Sequence, residues 1–389
     1  MQKLLVEPLR SVDTSAVVVI DALDECKDDD PESAILVVLG QFVSEMPGVK
    51  FFITSRPESH IMTGFRGPLL EGLTDVFILH DVEPCAVDND IRHFFMHELS
   101  KLARQPRGIE GWPTGEQLDS LCRRAAGFFV YAVGTVNFLK HKFERPSDRL
   151  DILLKSTSTT HEGKAELKAY NSLDSLYMSI LQEAFYKNEV KHDAIVRLVL
   201  SAVLIVTNPL SPFAIATLMD FECDVVLSLL ESIRSLLILH DDIDRPIQPF
   251  HKSFPDFITD LTRCPDLRFH ISFDYHIELV LRCLGLMDRS LKKNMCSIPD
   301  YALNSEVEDL AERIQGSGIC GALEYACRSW YKHLVVTEHR TAGVVSALRL
   351  FLEGKYLFWL EVLSILGAVG DAARALNTTV KWLTEVRPD

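Results

Sequence analysis

Two short segments carry the residue types of a phosphate-transfer site. Val17-Val18-Val19-Ile20 runs into Asp21, with Asp24 and Glu25 three and four residues further on, and Phe51-Phe52-Ile53 runs into Thr54-Ser55-Arg56-Pro57. An acid at the carboxyl end of a buried parallel strand stands where open α/β sheets bind their ligands. There Asp21 can hold a hydrated Mg²⁺ against nucleotide phosphates, and Asp24 and Glu25 can orient an attacking water. Arg56, ending the neighbouring strand, would face the γ-phosphate. Phosphoryl transfer asks for this positioning and charge neutralisation more than for covalent chemistry. Four aliphatics before an acid are common by chance; the two segments in this order and at this distance are not.

The elements that must hold these residues are legible around them. The β-branched run from Ala16 to Ile20 is bounded by polar residues and reads as a strand buried on both faces. Asp30-Pro31-Glu32 supplies an N-cap, a first-turn proline and an acid. Ile35, Leu39, Phe42 and Met46 then recur at helical spacing. Val49 to Ile53 is a second strand and Asp75 to Leu79 a third, so strands joined by crossovers predict a parallel α/β sheet. From residue 84 the pattern is helical: 84–105, about 114–126 and 128–144 divided by Gly127, then a polar linker KSTSTTHEG over 155–163. Helices follow at about 171–187 and 190–206, then one capped by Ser211-Pro212, then one from Cys223 to Arg234. Two short strands flank the turn at 241–246, which is the winged-helix order. Residues 266–389 read as four to six helices with a loop near Gln315-Gly316-Ser317-Gly318. Trp330, Tyr331, Tyr356, Phe358, Trp359 and Trp382 fall at spacings that predict packed core.

Composition removes whole classes of function. The chain has 389 residues, 47% hydrophobic and 24% charged, as ordinary globular domains are. Its net charge of −15 argues against an electrostatic hold on nucleic acid or an anionic membrane. The would-be recognition helix repeats the point, with Asp224 and Glu231 against Arg234. The nine cysteines are scattered and form no CxxC pair, which predicts reduced thiols and a cytoplasmic protein without a zinc site. MQKLLVEPLR lacks a signal-peptide core, and the longest apolar stretch, between Arg197 and Asn208, falls short of the ~20 residues a membrane span needs. His93 and His97 stand four apart without the HExxH order and read as helix-surface residues.

At the two opening segments the chain resembles the NACHT family of STAND signalling NTPases, specifically fungal NOD-like proteins with a nephrocystin-like front half. VVVIDALDEC resembles the family's Walker B segment and FFITSRPE its sensor 1 segment. RRAAGFFVYA at 123–132, NPLSP at 208–212 and PFHKSFPDFI at 249–258 are similar to its helical-lid and winged-helix segments. LEYACRSWYKHL at 323–334 and FWLEVLSILG at 358–367 look like its helical region. The resemblance implies ATP or GTP with Mg²⁺ as the ligand of intact relatives. It makes Asp21 the metal acid, Asp24 and Glu25 the catalytic acids and Arg56 the phosphate sensor. It also implies that His251 touches the β-phosphate in a closed, ADP-bound state, against the reading of a core or capping histidine at the start of the helix through Phe257. Gly127 falls where the family's lid meets adenine, although Phe128-Phe129 stand where many members carry a proline.

One expected part is absent from the 389 residues: no GxxxxGK followed by Ser or Thr, the loop whose backbone N–H groups and lysine cradle phosphates. The resemblance therefore predicts a partial parallel-sheet P-loop NTPase core over 1–83, its C-terminal half, with Met1 to Arg10 as a helix before the Walker B strand. A helical lid follows over 84–154, a linker and helix over 155–188, a winged helix over 189–262 and a helical domain over 263–389. Strands 16–21 and 49–54 are expected to pair in parallel, with 75–80 poorly paired or closing across the place of a missing central strand. The function expected is a truncated nucleotide-dependent switch that neither binds nor hydrolyses nucleotide by itself, has no cofactor of its own, and associates with protein partners or itself through its NTPase and helical domains. The alternatives are a working ATPase or GTPase switch with the phosphate loop supplied upstream, or a helical scaffold carrying a dead NTPase remnant.

Overall fold

The computed structural model describes residues 7, 16–26, 31–46, 48–56, 58–77, 84–104, 111–140, 144–155, 165–186, 193–240, 242–299, 304–319, 321–337, 339–385 and 387–388. The expected helix over Met1 to Arg10 and the polar linker lie outside them, apart from Glu7 and Lys155. The chain divides into two compact units, Met1–Glu83 and Pro84–Asp389, and is mostly helical with small sheets.

In the first unit β1 (Ala16–Ile20) and β2 (Val49–Ile53) pair in parallel, in register from Ala16 opposite Val49 to Ile20 opposite Ile53. The crossover between them contains α1 (Pro31–Phe42), and α2 (Ser59–Phe65) follows β2. Ile20, Phe51 and Ile53 pack with Leu23, Leu36, Leu39, Ile61 and Leu70, which makes one apolar layer between strands and helices. Helix α1 comes close to the segment after α2, for a Cβ on Gly40 would stand 2.6 Å from Leu69 Cβ.

The strands are not buried on both faces as the β-branched run predicts. Val17, Val19 and Phe52 are more than 60% exposed while their neighbours turn inward, because the described helices of this unit pack against the other face. The expected third strand is also not seen where it is described: Asp75 to Phe77 form no strand, and 78–80 lie outside the described residues.

The second unit opens with α3 (Pro84–Ala103), α4 (Gly115–Ala125), α5 (Phe129–Leu139), α6 (Pro146–Lys155) and α7 (Ala165–Tyr186). Thr114 and Gln117 form a reciprocal capping box at the start of α4, side chain to backbone in both directions, which satisfies two otherwise orphaned N–H groups. The helices α8 (Asp193–Leu204), α9 (Pro212–Met219) and α10 (Cys223–Ser232) lead to an antiparallel pair, β3 (Leu237–Ile238) with β4 (Gln248–Pro249), and then to α11 (Ser253–Thr259). Ser211 caps α9 by accepting the Ala214 N–H at 3.1 Å, with Pro212 at the first helical position.

Beyond it lie α12 (Asp274–Ser290), α13 (Leu310–Gly316), α14 (Gly321–Val336), β5 (His339–Arg340), α15 (Ala342–Gly354), α16 (Tyr356–Ile365), α17 (Val369–Glu385) and β6 (Arg387–Pro388). The aromatic cluster is core, as its spacing predicts. Trp330, Phe351 and Trp359 meet edge to face with ring centroids 5.5–6.3 Å apart, and each is no more than 1% exposed. The buried Trp359 and Trp382 indoles keep their N–H groups satisfied, donating to Cys327 O at 2.9 Å and Thr337 Oγ1 at 2.7 Å.

Candidate functional site

The carboxyl ends of β1 and β2 bring Asp21, Asp24, Thr54 and Arg56 together. Parallel pairing sets the frame: Thr54 N–H donates to Ile20 O at 2.9 Å, and the chain then crosses back as Leu23 N–H donates to Thr54 O at 2.9 Å. To make that crossing Ala22 adopts a left-handed conformation, φ 52° and ψ 57°, which only glycine takes without steric cost. Backbone strain of this kind collects where a side chain must be aimed.

Thr54 ties the two strand ends through its hydroxyl. It donates to Asp21 Oδ1 and accepts the Ala22 N–H at 2.8 Å. Asp21 itself is exposed at the end of β1. Asp24, in the short 3₁₀ turn Leu23–Glu25, has a side chain only 4% exposed and binds Arg56 twice. Its Oδ1 accepts the Arg56 backbone N–H at 3.0 Å, and its Oδ2 stands 3.5 Å from Arg56 Nε. Glu25 shares the turn by its backbone; its side chain is outside the described residues. An exposed carboxylate beside a hydroxyl is an oxygen donor set of the kind Mg²⁺ uses, since that ion keeps most of its waters and takes one or two carboxylates plus phosphate oxygens. Among the described residues no group of three or more His, Cys, Asp or Glu is placed to hold a metal by itself.

Thr54 is the site residue that residue-type reasoning passed over. Its signal was its position, between the last strand residue Ile53 and Arg56, where a hydroxyl reaches across to the neighbouring strand end.

Gly127 and His251 lie in the second unit, in local settings that account for their residue types. Gly127 has φ 84° in the break between α4 and α5 and follows Ala126 at φ 45°, so the reversal itself calls for glycine. His251 stands two residues before α11: Nδ1 accepts the Ser253 N–H at 3.1 Å and lies 2.6 Å from Ser253 Oγ, which in turn meets the Tyr177 hydroxyl at 2.7 Å. Burial pushes the Tyr177 phenol up to about 12, so it stays a neutral partner in this chain. His93 and His97 are exposed on α3. An open depression of about 770 Å³ over α3 and α4, lined by Arg92, Gly115, Glu116, Asp119, Cys122 and Arg123, contains none of the predicted residues.

Residues 1–56 match the family described as Nephrocystin 3, N-terminal, a match that ends on Arg56 and so contains both strand ends. Over 387 residues the chain is 23% identical to the vegetative incompatibility protein HET-E-1 of Podospora anserina, covering 92% of this chain and 26% of that protein. The chain is similar to the nephrocystin-like, fungal NOD-like proteins, as its motifs indicate. It spans about a quarter of the length of that relative. No solved structure matches. No helix among the described residues is long and apolar enough to cross a membrane.

Proposed function

We propose that the chain carries the metal-binding and phosphate-sensing half of a NACHT-type nucleotide switch, whose complete site takes ATP or GTP with Mg²⁺ and acts through protein partners or self-association. The observation that carries this reading is the placement of Asp21 and Arg56 at the carboxyl ends of two hydrogen-bonded parallel strands, joined through Thr54 and Asp24. Asp21 would hold the hydrated Mg²⁺ and Thr54 would fix its carboxylate. Glu25 would orient water, and Asp24 would set the angle of Arg56 toward the terminal phosphate, its own carboxylate being engaged by Arg56. Mg²⁺ would supply charge neutralisation on the phosphate oxygens. Residues 84–154 then form a lid, 189–262 a winged helix with α8, α9 and α10 before the β3–β4 pair, and 263–389 a helical domain that follows it.

The 389 residues contain no phosphate loop, and its backbone donors and lysine make up much of the grip on a nucleotide. By themselves they are therefore expected to bind neither ATP nor GTP. The test is equilibrium binding of fluorescent ATP and GTP analogues with Mg²⁺ to this chain and to the same chain carrying an upstream strand and GxxxxGK[ST] loop. The reading requires saturable binding by the extended chain alone, weakened at least about tenfold, ~1.4 kcal/mol, by Asp21→Asn. Binding by the extended chain that ignores Asp21→Asn and Arg56→Ala overturns it.

A further inference from the structure

A second set of polar side chains, unrelated to the strand ends, is buried between α12 and α14. Thr207, in the segment between α8 and α9, donates its backbone N–H to the Tyr325 hydroxyl oxygen at 3.3 Å. The Tyr325 hydroxyl stands 2.5 Å from His333 Nε2, and His333 Nδ1 stands 2.9 Å from His276 Nδ1. His333 is 0% exposed, whereas His276 is half-buried. Thr207 is held a second time by its own hydroxyl, 3.2 Å from Ser329 Oγ.

The contacts allow two directions for the protons. In one, with Thr207 N–H donating to the phenol oxygen, the phenol proton goes to His333 Nε2. The His333 proton then sits on Nδ1 and is donated to His276 Nδ1, whose own proton is on Nε2. In the other, His276 donates to His333 and His333 Nε2–H to Tyr325, and the phenol proton turns to the Thr207 hydroxyl, which also hydrogen-bonds Tyr325. Both imidazoles are neutral in either arrangement. Burial lowers the His276 imidazole, and burial together with the nearby His276 and Lys332 holds His333 at about 3.

We propose that the protons run in the first direction, from Tyr325 through His333 to His276, and that this chain of hydrogen bonds is an acid-releasable tie between the Thr207 segment and the α12–α14 helix pair, with His276 as its trigger. A proton from the solvent forms an N–H bond at His276 Nδ1, and no other covalent bond changes. Two N–H groups then face each other at the former 2.9 Å contact, the pair separates, and His333 loses its acceptor inside the core. A buried donor without an acceptor is unfavourable, so Tyr325 and His333 shift and Thr207 loses one of its two anchors.

Among the described residues no charged side chain hydrogen-bonds either imidazole. From α14 the histidine pair is faced by Lys332, and Cys283 of α12 lies near Tyr325 and Cys327, with Glu324 beside Cys327. Arg197 of α8 lies near Tyr275 and donates to Leu267 O. Asp371 of α17 is engaged by Arg328 and Arg374. On α15, Arg349 and Glu353 pair with each other at the surface. α16 carries Glu361, and Lys355 at its start donates to Leu291 O. α9 carries no charged residue.

Histidines depressed in the folded state stabilise it above their unfolded value near 6.5, and that contribution is lost as pH falls below it. Hydrogen exchange of the full chain, corrected for intrinsic rates, is therefore expected to show the opening constant of the 205–211 segment rising between pH 6.5 and 5, by up to about tenfold per pH unit for each imidazole the opening exposes. In His276→Asn, whose Oδ1 can still accept from His333 but does not titrate, the His276 share of the rise is expected to be lost, which leaves a profile shallower by up to about tenfold per pH unit. A flat wild-type profile, or the same rise in His276→Asn, overturns the proposal. A measurement on the wild type alone bears on it independently: selective ¹⁵N labelling at pH 7.5 must find His333 as the Nδ1–H tautomer, and an Nε2–H tautomer refutes the tie.

Discussion

Arg56 and Asp24 are bound to each other twice, through the Arg56 backbone N–H at 3.0 Å and through its guanidinium at 3.5 Å. The two bonds differ in what they do. The backbone bond fixes the path of the chain as it leaves β2, whereas the guanidinium, 42% exposed, has solvent as an alternative. Asp24→Ala is therefore expected to destabilise the first unit by about 2 kcal/mol, mostly through the lost charge-assisted backbone bond, and Arg56→Ala by under about 1 kcal/mol. Hydrogen exchange of β1 and β2 measures both. Equal losses would mean that the ion pair, and not the backbone bond, holds the turn.

Thr54 is the joint between the strand ends, and its methyl and hydroxyl can be tested apart. Thr54→Ser keeps the donor to Asp21 and the acceptor for Ala22 N–H, and is expected to stay within about 0.5 kcal/mol of wild type. Thr54→Val keeps the shape but strands the Ala22 N–H, at an expected cost of about 1–2 kcal/mol. Exchange of the Ala22 amide is the direct readout. Protection equal in the two variants would remove Thr54 from the site.

The parts legible in the sequence were those whose cause is local. The β-branched run of β1, the proline start of α1 and the Ser211-Pro212 cap of α9 are decided within a few residues, and each forms where its residues indicate. Parallel pairing of β1 with β2 was legible too, because a helical crossover leaves few other topologies. The exposure of Val17 and Val19 was not, since a strand's sequence records the faces it is suited to bury and not which helices reach them. At the site, the acid ending β1 could be read from its position, but the engagement of Asp24 by Arg56 could not. That contact depends on the left-handed turn at Ala22, and alanine gives no sign of such a turn.

Asp371 gives the second unit a sensitivity to acid. Burial pushes its carboxyl up, and hydrogen bonds from Arg374 and Arg328 more than reverse this, leaving it below the ordinary 3.8. A depressed carboxyl contributes stability that is fully present above its unfolded value and is lost as pH falls through the folded one. Asp371→Asn is therefore expected to cost about 1–2 kcal/mol at pH 7, discounted because Arg328 and Arg374 are 45% and 66% exposed, and the difference from wild type is expected to shrink below pH 4. Urea unfolding followed by tryptophan fluorescence reads it, with Trp330 on α14 and Trp382 on α17 both buried on the two helices that this network joins. A difference that persists unchanged to pH 3 would show packing, and not charge, to be the cause.

His251 separates a folding role from a binding role. Its Nδ1 accepts the first N–H of α11, so His251→Ala is expected to cost about 1 kcal/mol as any lost helix cap does. His251→Asn places an oxygen near the same point and is expected to recover most of that, because the cap needs only an acceptor there. A contact to phosphate makes the opposite demand, for it needs a ring nitrogen that donates, and with Nδ1 accepting from Ser253 the ring proton is on Nε2. The Asn variant in a chain extended with a phosphate loop thus divides the two roles: stability near wild type with nucleotide affinity lowered about tenfold, ~1.4 kcal/mol, assigns Nε2 to the phosphate. Unchanged stability and unchanged affinity leave His251 as the cap of α11 alone.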